Sequence, residues 1–359
     1  MNIQTSRRSI LAITYCWAIA AIFIGLHDFL CAYSINAFPL ENPVMFFGAY
    51  VALGTLSGAV SGFFLLIFLQ EPFRRKSFLA ALFGQTGFCT LLLMLLYAFG
   101  VWLQASVFFG ESLFAKEVLA RFFAEILNAK FLRAAIFGGG LSGLTSFFLQ
   151  LSEKYGQGVL WDFIRGKFYT PKEQEKIFMF LDVKSSTSMA QQIGYSTYFY
   201  LLSDFFQDLT KPIIESSGCI YQCVGDELVI TWETSVGLKE ARAVRCFFEM
   251  ERRIEAKSAA YLEKYGVVPS FKAGMHFGSV VTGEIGVLKK DIAHLGQAIT
   301  IAARIQGVCN SFNEKLLLSE ELFNAISLPS NLETKAIGGV LLKGKSEPIT
   351  LFAVKKKDE

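Results

Sequence analysis

Ile177-Phe178-Met179-Phe180-Leu181-Asp182-Val183-Lys184-Ser185-Ser186-Thr187-Ser188 is the stretch whose reading decides the fold of the second half of this 359-residue chain. Five apolar residues in a row, bounded by charge, mark a central strand buried on both faces. The polar run after them opens a helix, whose free N–H groups and dipole make a ready anion site. Asp182 stands where strand becomes loop.

Downstream, Ile193, Tyr200, Leu201, Phe205, Leu209 and Ile213 fall on one helical face. Two short strands follow, Cys219–Val224 and Leu228–Trp232, broken by the tight turn Gly225-Asp226-Glu227. The pattern then predicts a long helix over Val236–Tyr265, strands at Ser270–His276 and Val280–Thr282, and a helix from Ala298 to Ser311. Strands at 316–318, Val340–Lys343 and Ile349–Val354 complete an α/β (α+β) sandwich with a ferredoxin-like βαββαβ core. If the strands bearing Asp182 and Asp226 are neighbours, both carboxylates leave one sheet end within reach of hard cations such as Mg²⁺. Singly, they read as a strand-end cap and a turn residue. Together with the helix start they point to a nucleoside-triphosphate site.

Upstream the composition changes. The chain is 53% hydrophobic and 18% charged, with a mean hydropathy of +0.42, which excludes a disordered or nucleic-acid-coating protein. Residues 1–151 hold 9 Lys+Arg and 6 Asp+Glu, whereas 152–359 hold 25 of each, so the net charge of +3 belongs to the first part. Four apolar spans of about 20 residues fit a bilayer: Ile10–Leu30, Met45–Leu69, Phe78–Leu103 and Arg133–Leu151. Arg7 and Arg8, Arg74-Arg75-Lys76, and Lys154, Arg165 and Lys167 fall on one side. The positive-inside rule then predicts an integral protein of the cell's inner membrane with both termini cytoplasmic. The apolar loop Gln104–Lys130 suits a helix in the outer interface. Gly54, Gly58 and Gly62 share one helix face, as do Gly139 and Gly143, for packing inside the bundle or along a homodimer seam. His27 and Asp28 mark the outer end of span one as an interfacial polar end or a ligand sensor. The seven cysteines are dispersed without zinc-ligand spacing. The chain thus divides into a membrane domain (1–151), a juxtamembrane linker or transducer helix (152–174) and a soluble domain (175–359).

Five motifs in order, FLDVKSST at 180–187, VGDELVITW at 224–232, GMHFGSVVTGEIG at 274–286, LGQAITIAARIQ at 295–306 and LLKGKSEPITLF at 341–352, resemble the class III nucleotidyl cyclases. The resemblance covers nearly the whole soluble half. It implies a head-to-tail homodimer with active sites at the interface, converting ATP or GTP to the 3′,5′-cyclic monophosphate and pyrophosphate with two Mg²⁺ or Mn²⁺ ions. By resemblance, Asp182 and Asp226 match the metal-binding pair, with the Val183 backbone as a further ligand. Lys184, Ser185, Ser186 and Thr187 match the phosphate-binding helix start. Arg304 matches the arginine that stabilises transition-state charge, and Lys343 the lysine on the terminal phosphates, roles in which preorganised charge counts most.

Four positions depart from the family, one of them Ser279, where some members have an Arg that contacts phosphate. Gln222 stands where adenylate cyclases have a base-reading Lys and guanylate cyclases a Glu. Ala293 replaces its partner, and Thr300 replaces a ribose-orienting Asn. A Gln amide both donates and accepts, so Gln222 is compatible with either purine. The expectation is a membrane-bound adenylate cyclase, with a guanylate cyclase or a nucleotide-binding receptor without turnover as alternatives. The membrane domain is open to an unknown ligand or protein partner.

Overall fold

The structure is a computed structural model describing residues 3–34, 43–73, 76–155, 162, 165–288 and 290–357. The chain forms two compact units, Met1–Tyr155 and Gly156–Glu359.

The first unit is helical: α1 (Ile3–Ser34), α2 (Pro43–Phe63), α3 (Phe78–Phe109), α4 (Lys116–Ile126) and α5 (Ala129–Tyr155). α2 continues as a π-helical stretch, Phe64–Leu69, into Gln70–Phe73. Pro72 offers no N–H to the preceding turn and its ring crowds it, and a wider turn relieves that conflict. Among the described residues three helical segments are long and apolar enough to cross a membrane: Tyr50–Leu69, Phe78–Val107 and Phe131–Ser152. The apolar part of α1, Ile10–Leu26, is shorter. α4 lies within the segment expected to hold an interfacial helix.

The glycine faces are used inside this bundle. A Cβ at Gly54 would come within 2.4 Å of Ala21, and one at Gly58 within 2.7 Å of Trp17, so α1 covers that face of α2. Gly139 and Gly143 face Thr90 and Thr86 of α3. The homodimer-seam reading of these positions therefore gives way to close backbone approach within one chain. Trp17 ties α1 to α5 by donating Nε1–H to Thr145 Oγ1 at 3.0 Å. The side chains of Arg7, Arg8, His27, Asp28, Arg74, Arg75 and Lys154 lie outside the described residues.

The second unit is α/β with a mixed sheet. In chain order it has β1 (Lys172–Val183), α6 (Ser186–Ile193), α7 (Tyr195–Glu215), β2 (Cys219–Val224), β3 (Glu227–Glu233), α8 (Arg242–Ala256) and α9 (Ser258–Tyr265). It continues with β4 (Phe271–Ile285), β5 (Asp291–Leu295), α10 (Gln297–Val308), β6 (Leu316–Ser319), α11 (Glu320–Ala325), β7 (Leu332–Val340) and β8 (Ile349–Lys356). The strand order is β2-β3-β1-β4-β6-β8-β7, with β5 paired to β4. Within it, β2-β3-β1-β4 is antiparallel throughout, the order a βαββαβ core produces. The apolar run of β1 is central because strand alternation loads both faces. Ile177, Met179 and Leu181 enter the large core with Leu201, Phe205, Leu209 and Ile213 of α7 and Phe247 of α8. Phe178 and Phe180 enter a second core with Val229, Val280, Ala298 and Ala302.

Four expectations needed correction. The single helix over Val236–Tyr265 is broken, because Glu240 and Ala241 turn left-handed (φ 54° and 52°) and α8 ends before Lys257. The two short strands after Ser270 are one strand, β4. β5 and β7 were not foreseen, and Leu341–Lys343 lies beyond the end of β7. The helix expected from Ala298 to Ser311 is α10, which ends at Val308, and Gly274 and Gly278 serve close packing within the continuous strand β4. A Cβ at Gly274 would lie 2.1 Å from the Gln306 backbone nitrogen, so α10 crosses β4 there without a side chain between them.

Candidate active site

Asp182 is second to last in β1 and pairs in register with Glu227 of β3 and Lys272 of β4. Asp226 immediately precedes Glu227 in the two-residue turn joining β2 to β3, where Gly225 takes φ 61°. Glycine accepts that first turn position without strain. The sheet thus brings the two carboxylates to one end, as their chain positions predict.

Two residues that the sequence reading passed over hold Asp182. The Lys272 ammonium, itself nearly buried, lies 3.3 Å from Asp182 Oδ2. Gln306 Nε2 donates to the same oxygen at 3.0 Å. Lys272 reaches it through the β1–β4 register, and Gln306 through the close crossing at Gly274. Neither relation has a local sequence signal. Burial, and then the charge of Asp226, push the Asp182 carboxyl above the usual carboxylate range, against the pull of Lys272 and Gln306. Burial followed by Asp182 and Asp226 does the same to Glu227. Like charges so crowded are relieved by a cation, and two carboxylates beside a backbone carbonyl are a hard-cation donor set. Asp182, Asp226 and the Val183 backbone therefore fit the expected divalent ions.

The loop after β1 is built for close approach of its backbone. Ser185 is left-handed at φ 54°, uncommon for a residue with a side chain. The Lys184 N–H donates to the Ser270 carbonyl at 2.8 Å, tying the loop to the segment entering β4. Ser186 is the first residue of α6 and Thr187 is exposed beside it.

The remaining expected residues gather elsewhere on the unit. Gln297, Thr300 and Arg304 share one face of α10 and line a groove of about 870 Å³ with His276, Glu320, Glu321, Gly344 and Lys345. Arg304 packs against the backbone at Gly344, where a Cβ would lie 3.2 Å from Nη2. Lys345 donates to Gln297 Oε1. Lys343 is exposed at the start of the same loop and outside the groove lining. None of Asp182, Asp226 or Lys184 lines this groove. His276 is buried in its wall, with Nδ1 2.7 Å from Ser319 Oγ. Burial lowers its pKa to about 4.

Gln222 is exposed on β2, and Ala293 pairs with Gly283 on β5. Their neighbours Tyr221 and His294 meet, with ring centroids 4.6 Å apart and the His294 backbone N–H donating to the Tyr221 hydroxyl at 3.3 Å. β2 pairs with β3 and β5 with β4, so this contact joins the neighbours of Gln222 and Ala293 rather than those two residues themselves. His294 Nδ1 lies 2.7 Å from Thr282 Oγ1.

Strand order and an acidic sheet end beside a helix start define the class of this unit, a palm-like α/β domain of the nucleotide-handling kind. The chain belongs to the adenylate and guanylate cyclase catalytic domain family, which matches residues 168–355. It is similar to Adenylate cyclase 2 of Rhizobium meliloti (strain 1021), 29% identical over 223 residues, 62% of this chain and 61% of that protein. It is also similar to an adenylate cyclase of Anabaena cylindrica, 26% identical over 180 residues, 49% of this chain and 36% of that one. The chain thus spans about three fifths and about one third of these relatives' lengths. Among solved structures, a bacterial light-regulated adenylyl cyclase shares the fold, with a TM-score of 0.54 at 18% identity over 64% of this chain and 66% of that one.

Proposed function

We propose that this protein is a membrane-bound adenylate cyclase that makes 3′,5′-cyclic AMP and pyrophosphate from ATP at a homodimer interface. The observation that carries the reading is the division of the expected site. The carboxylates and phosphate loop stand at one place on the unit, and Thr300 and Arg304 at another. A head-to-tail pair of copies would set the acidic end of one against the Thr300–Arg304 groove of the other. An apolar arm supports such pairing: Val281, Ile285, Val287, Leu288 and Leu295 of the β4–β5 hairpin are exposed, Val287 and Leu288 almost wholly so. Adenylate cyclases among the relatives support ATP as substrate.

In the reaction, the ribose 3′-oxygen bonds to the α-phosphorus while the bond from that phosphorus to the α–β bridging oxygen breaks. Pyrophosphate leaves and the 3′ proton passes to solvent. Mg²⁺ or Mn²⁺ held by Asp182, Asp226 and the Val183 carbonyl would supply charge neutralisation at the oxygens involved. Backbone N–H groups from Ser185 to Thr187 would bind phosphate at the start of α6, the Lys184 N–H being held by the Ser270 carbonyl. Arg304 and Lys343 of the partner copy would face the charge that develops on the phosphates, with Thr300 offering a hydroxyl to the ribose and Gln222 beside Ala293 meeting the base.

The membrane domain (1–151) supplies four spans in this reading, the apolar part of α1 being the fourth. The linker (152–174) leads to a cytoplasmic catalytic domain (175–359) at the inner membrane, and the two compact units support that division. Purified full-length protein, assayed in parallel with ATP and GTP under Mg²⁺ and Mn²⁺, is expected to release cyclic AMP. Cyclic GMP alone would make it a guanylate cyclase. Tight ATP binding without product under either metal would make it a receptor, the reading that Ala293 and Thr300 favour.

A further inference from the structure

Gln306 has no part in the reaction as set out above, yet it is the one polar side chain on the buried face of α10. Its buried companions on that helix are Ala298, Ile301, Ala302 and Ile305, and Gln306 itself is only 7% exposed. An amide taken out of water costs free energy unless it is hydrogen-bonded. A Met would fill the same space without that demand, which makes the amide the feature to explain.

Three contacts fix where the amide stands. A Cβ at Gly274 of β4 would lie 2.1 Å from the Gln306 backbone nitrogen and 2.7 Å from its Cα, so the helix backbone is seated on the strand at this residue. Just past the end of α10, Cys309 Sγ donates to the Ala273 carbonyl at 3.4 Å, which pins the same stretch to β4 a second time. From this seat the side chain reaches the end of β1, where Nε2 donates to Asp182 Oδ2 at 3.0 Å. An ionised carboxylate only accepts, so the nitrogen of the amide is the atom that must face it.

Lys272 meets the same oxygen at 3.3 Å, but its ammonium also repels an arriving cation. Gln306 holds the carboxylate without adding charge. Groups that ligate metals are themselves oriented by such outer hydrogen bonds, and losing one typically costs about 10–100-fold in metal affinity.

We propose that Gln306 is a positioning residue of the cation site, whose amide holds Asp182 Oδ2 and so presents Oδ1 to the cation. This rests on the reading of Asp182 and Asp226 as the cation-binding pair. It gives α10 a part in both sites of the proposed homodimer: Gln306 orients the carboxylate of its own chain, while Thr300 and Arg304 serve the partner's.

Mn²⁺ binding to the purified full-length protein, read by electron paramagnetic resonance of the free ion, tests it with three proteins: wild type, Gln306→Met and Asp182→Asn. Binding is expected to weaken about tenfold or more in Gln306→Met and to be lost in Asp182→Asn. Wild-type affinity in Gln306→Met, with binding lost in Asp182→Asn, would overturn the role of Gln306 and leave the cation pair standing. Wild-type affinity in Asp182→Asn would overturn the pair and this proposal with it. Should Gln306→Met also melt lower, mixed pairs of Asp182→Ala and Arg304→Ala chains separate positioning from folding. The intact site of such a pair draws its carboxylates from the Arg304→Ala chain. Gln306→Met is expected to cost the recovered activity about tenfold more when carried by that chain than by the Asp182→Ala chain. Equal losses from either chain would overturn the positioning role.

Discussion

The two halves of the candidate site are built on opposite principles. At the acidic end, Asp182 is held before any ligand arrives, by a nearly buried lysine and a glutamine brought in through sheet register and helix crossing. Around the groove, the candidate cations have no such buried partners among the described residues. Lys343 is exposed, Arg304 is half-buried against Gly344, and the groove between them and α11 is wide. One half is assembled by the fold and the other awaits a counterpart. The lesson is that a set of residues divided between two places on one unit is completed by something else, and here a second copy supplies it in the proposed reading.

The strongest way to break this comparison is to kill each half separately. Asp182→Ala and Arg304→Ala are each expected to lower cyclic AMP formation at least about a thousandfold, since each removes charge stabilisation in the transition state. Co-expressed, they should recover about a quarter of wild-type activity, because half of randomly paired dimers carry one intact site of two. No recovery would mean that both halves act within one chain.

A second test asks whether the acidic end depends on its buried cation. Lys272→Met leaves Asp182 with Gln306 alone. It is expected to cost about 2–3 kcal/mol in stability, below the full penalty for a broken buried pair because Asp182 is partly exposed. The same variant should lose activity about 10–100-fold. Chemical denaturation and product assay check the two effects, and an unchanged denaturation midpoint would show that the pair is not structural.

Two buried histidines carry a pH signature, His276 in the groove wall and His294 against Tyr221. Burial lowers the pKa of His276 and of His294 to about 4. Both are neutral in the fold and accept protons more readily when unfolded, near 6.5. The unfolded state therefore binds more protons between those values, so stability should fall as pH drops from about 6.5 toward 4. His294→Gln should flatten that fall in thermal melts at a series of pH values. A slope equal to wild type would place the titration elsewhere.

The smallest effect concerns the loop between strand and helix. Ser185→Gly removes a left-handed non-glycine residue and is expected to stabilise the protein by up to about 1 kcal/mol, read as a small rise in melting temperature. Destabilisation would show that the Ser185 side chain makes a contact worth more than its strain.

Much of this was legible along the chain because it depends on neighbours in sequence. The apolar run 177–181 announced β1, the spacing of Leu201, Phe205, Leu209 and Ile213 announced α7, and Gly225-Asp226 announced a turn. What failed was continuity. The strands expected at Ser270–His276 and Val280–Thr282 are one unbroken strand, which Gly274 and Gly278 let α10 cross. A long helical pattern concealed the left-handed pair at Glu240 and Ala241.

The sequence by itself determined the division into an apolar and a charge-balanced part and the family, and it singled out Asp182, Asp226, Thr300 and Arg304 as candidates. Each follows from local periodicity or from motifs short enough to survive in one dimension. Only the tertiary structure decided that Lys272 and Gln306 grip Asp182, and that the α2 glycines are covered by α1. These are meetings of residues up to 124 positions apart, set by strand register and helix crossing, and no stretch of sequence read alone contains them.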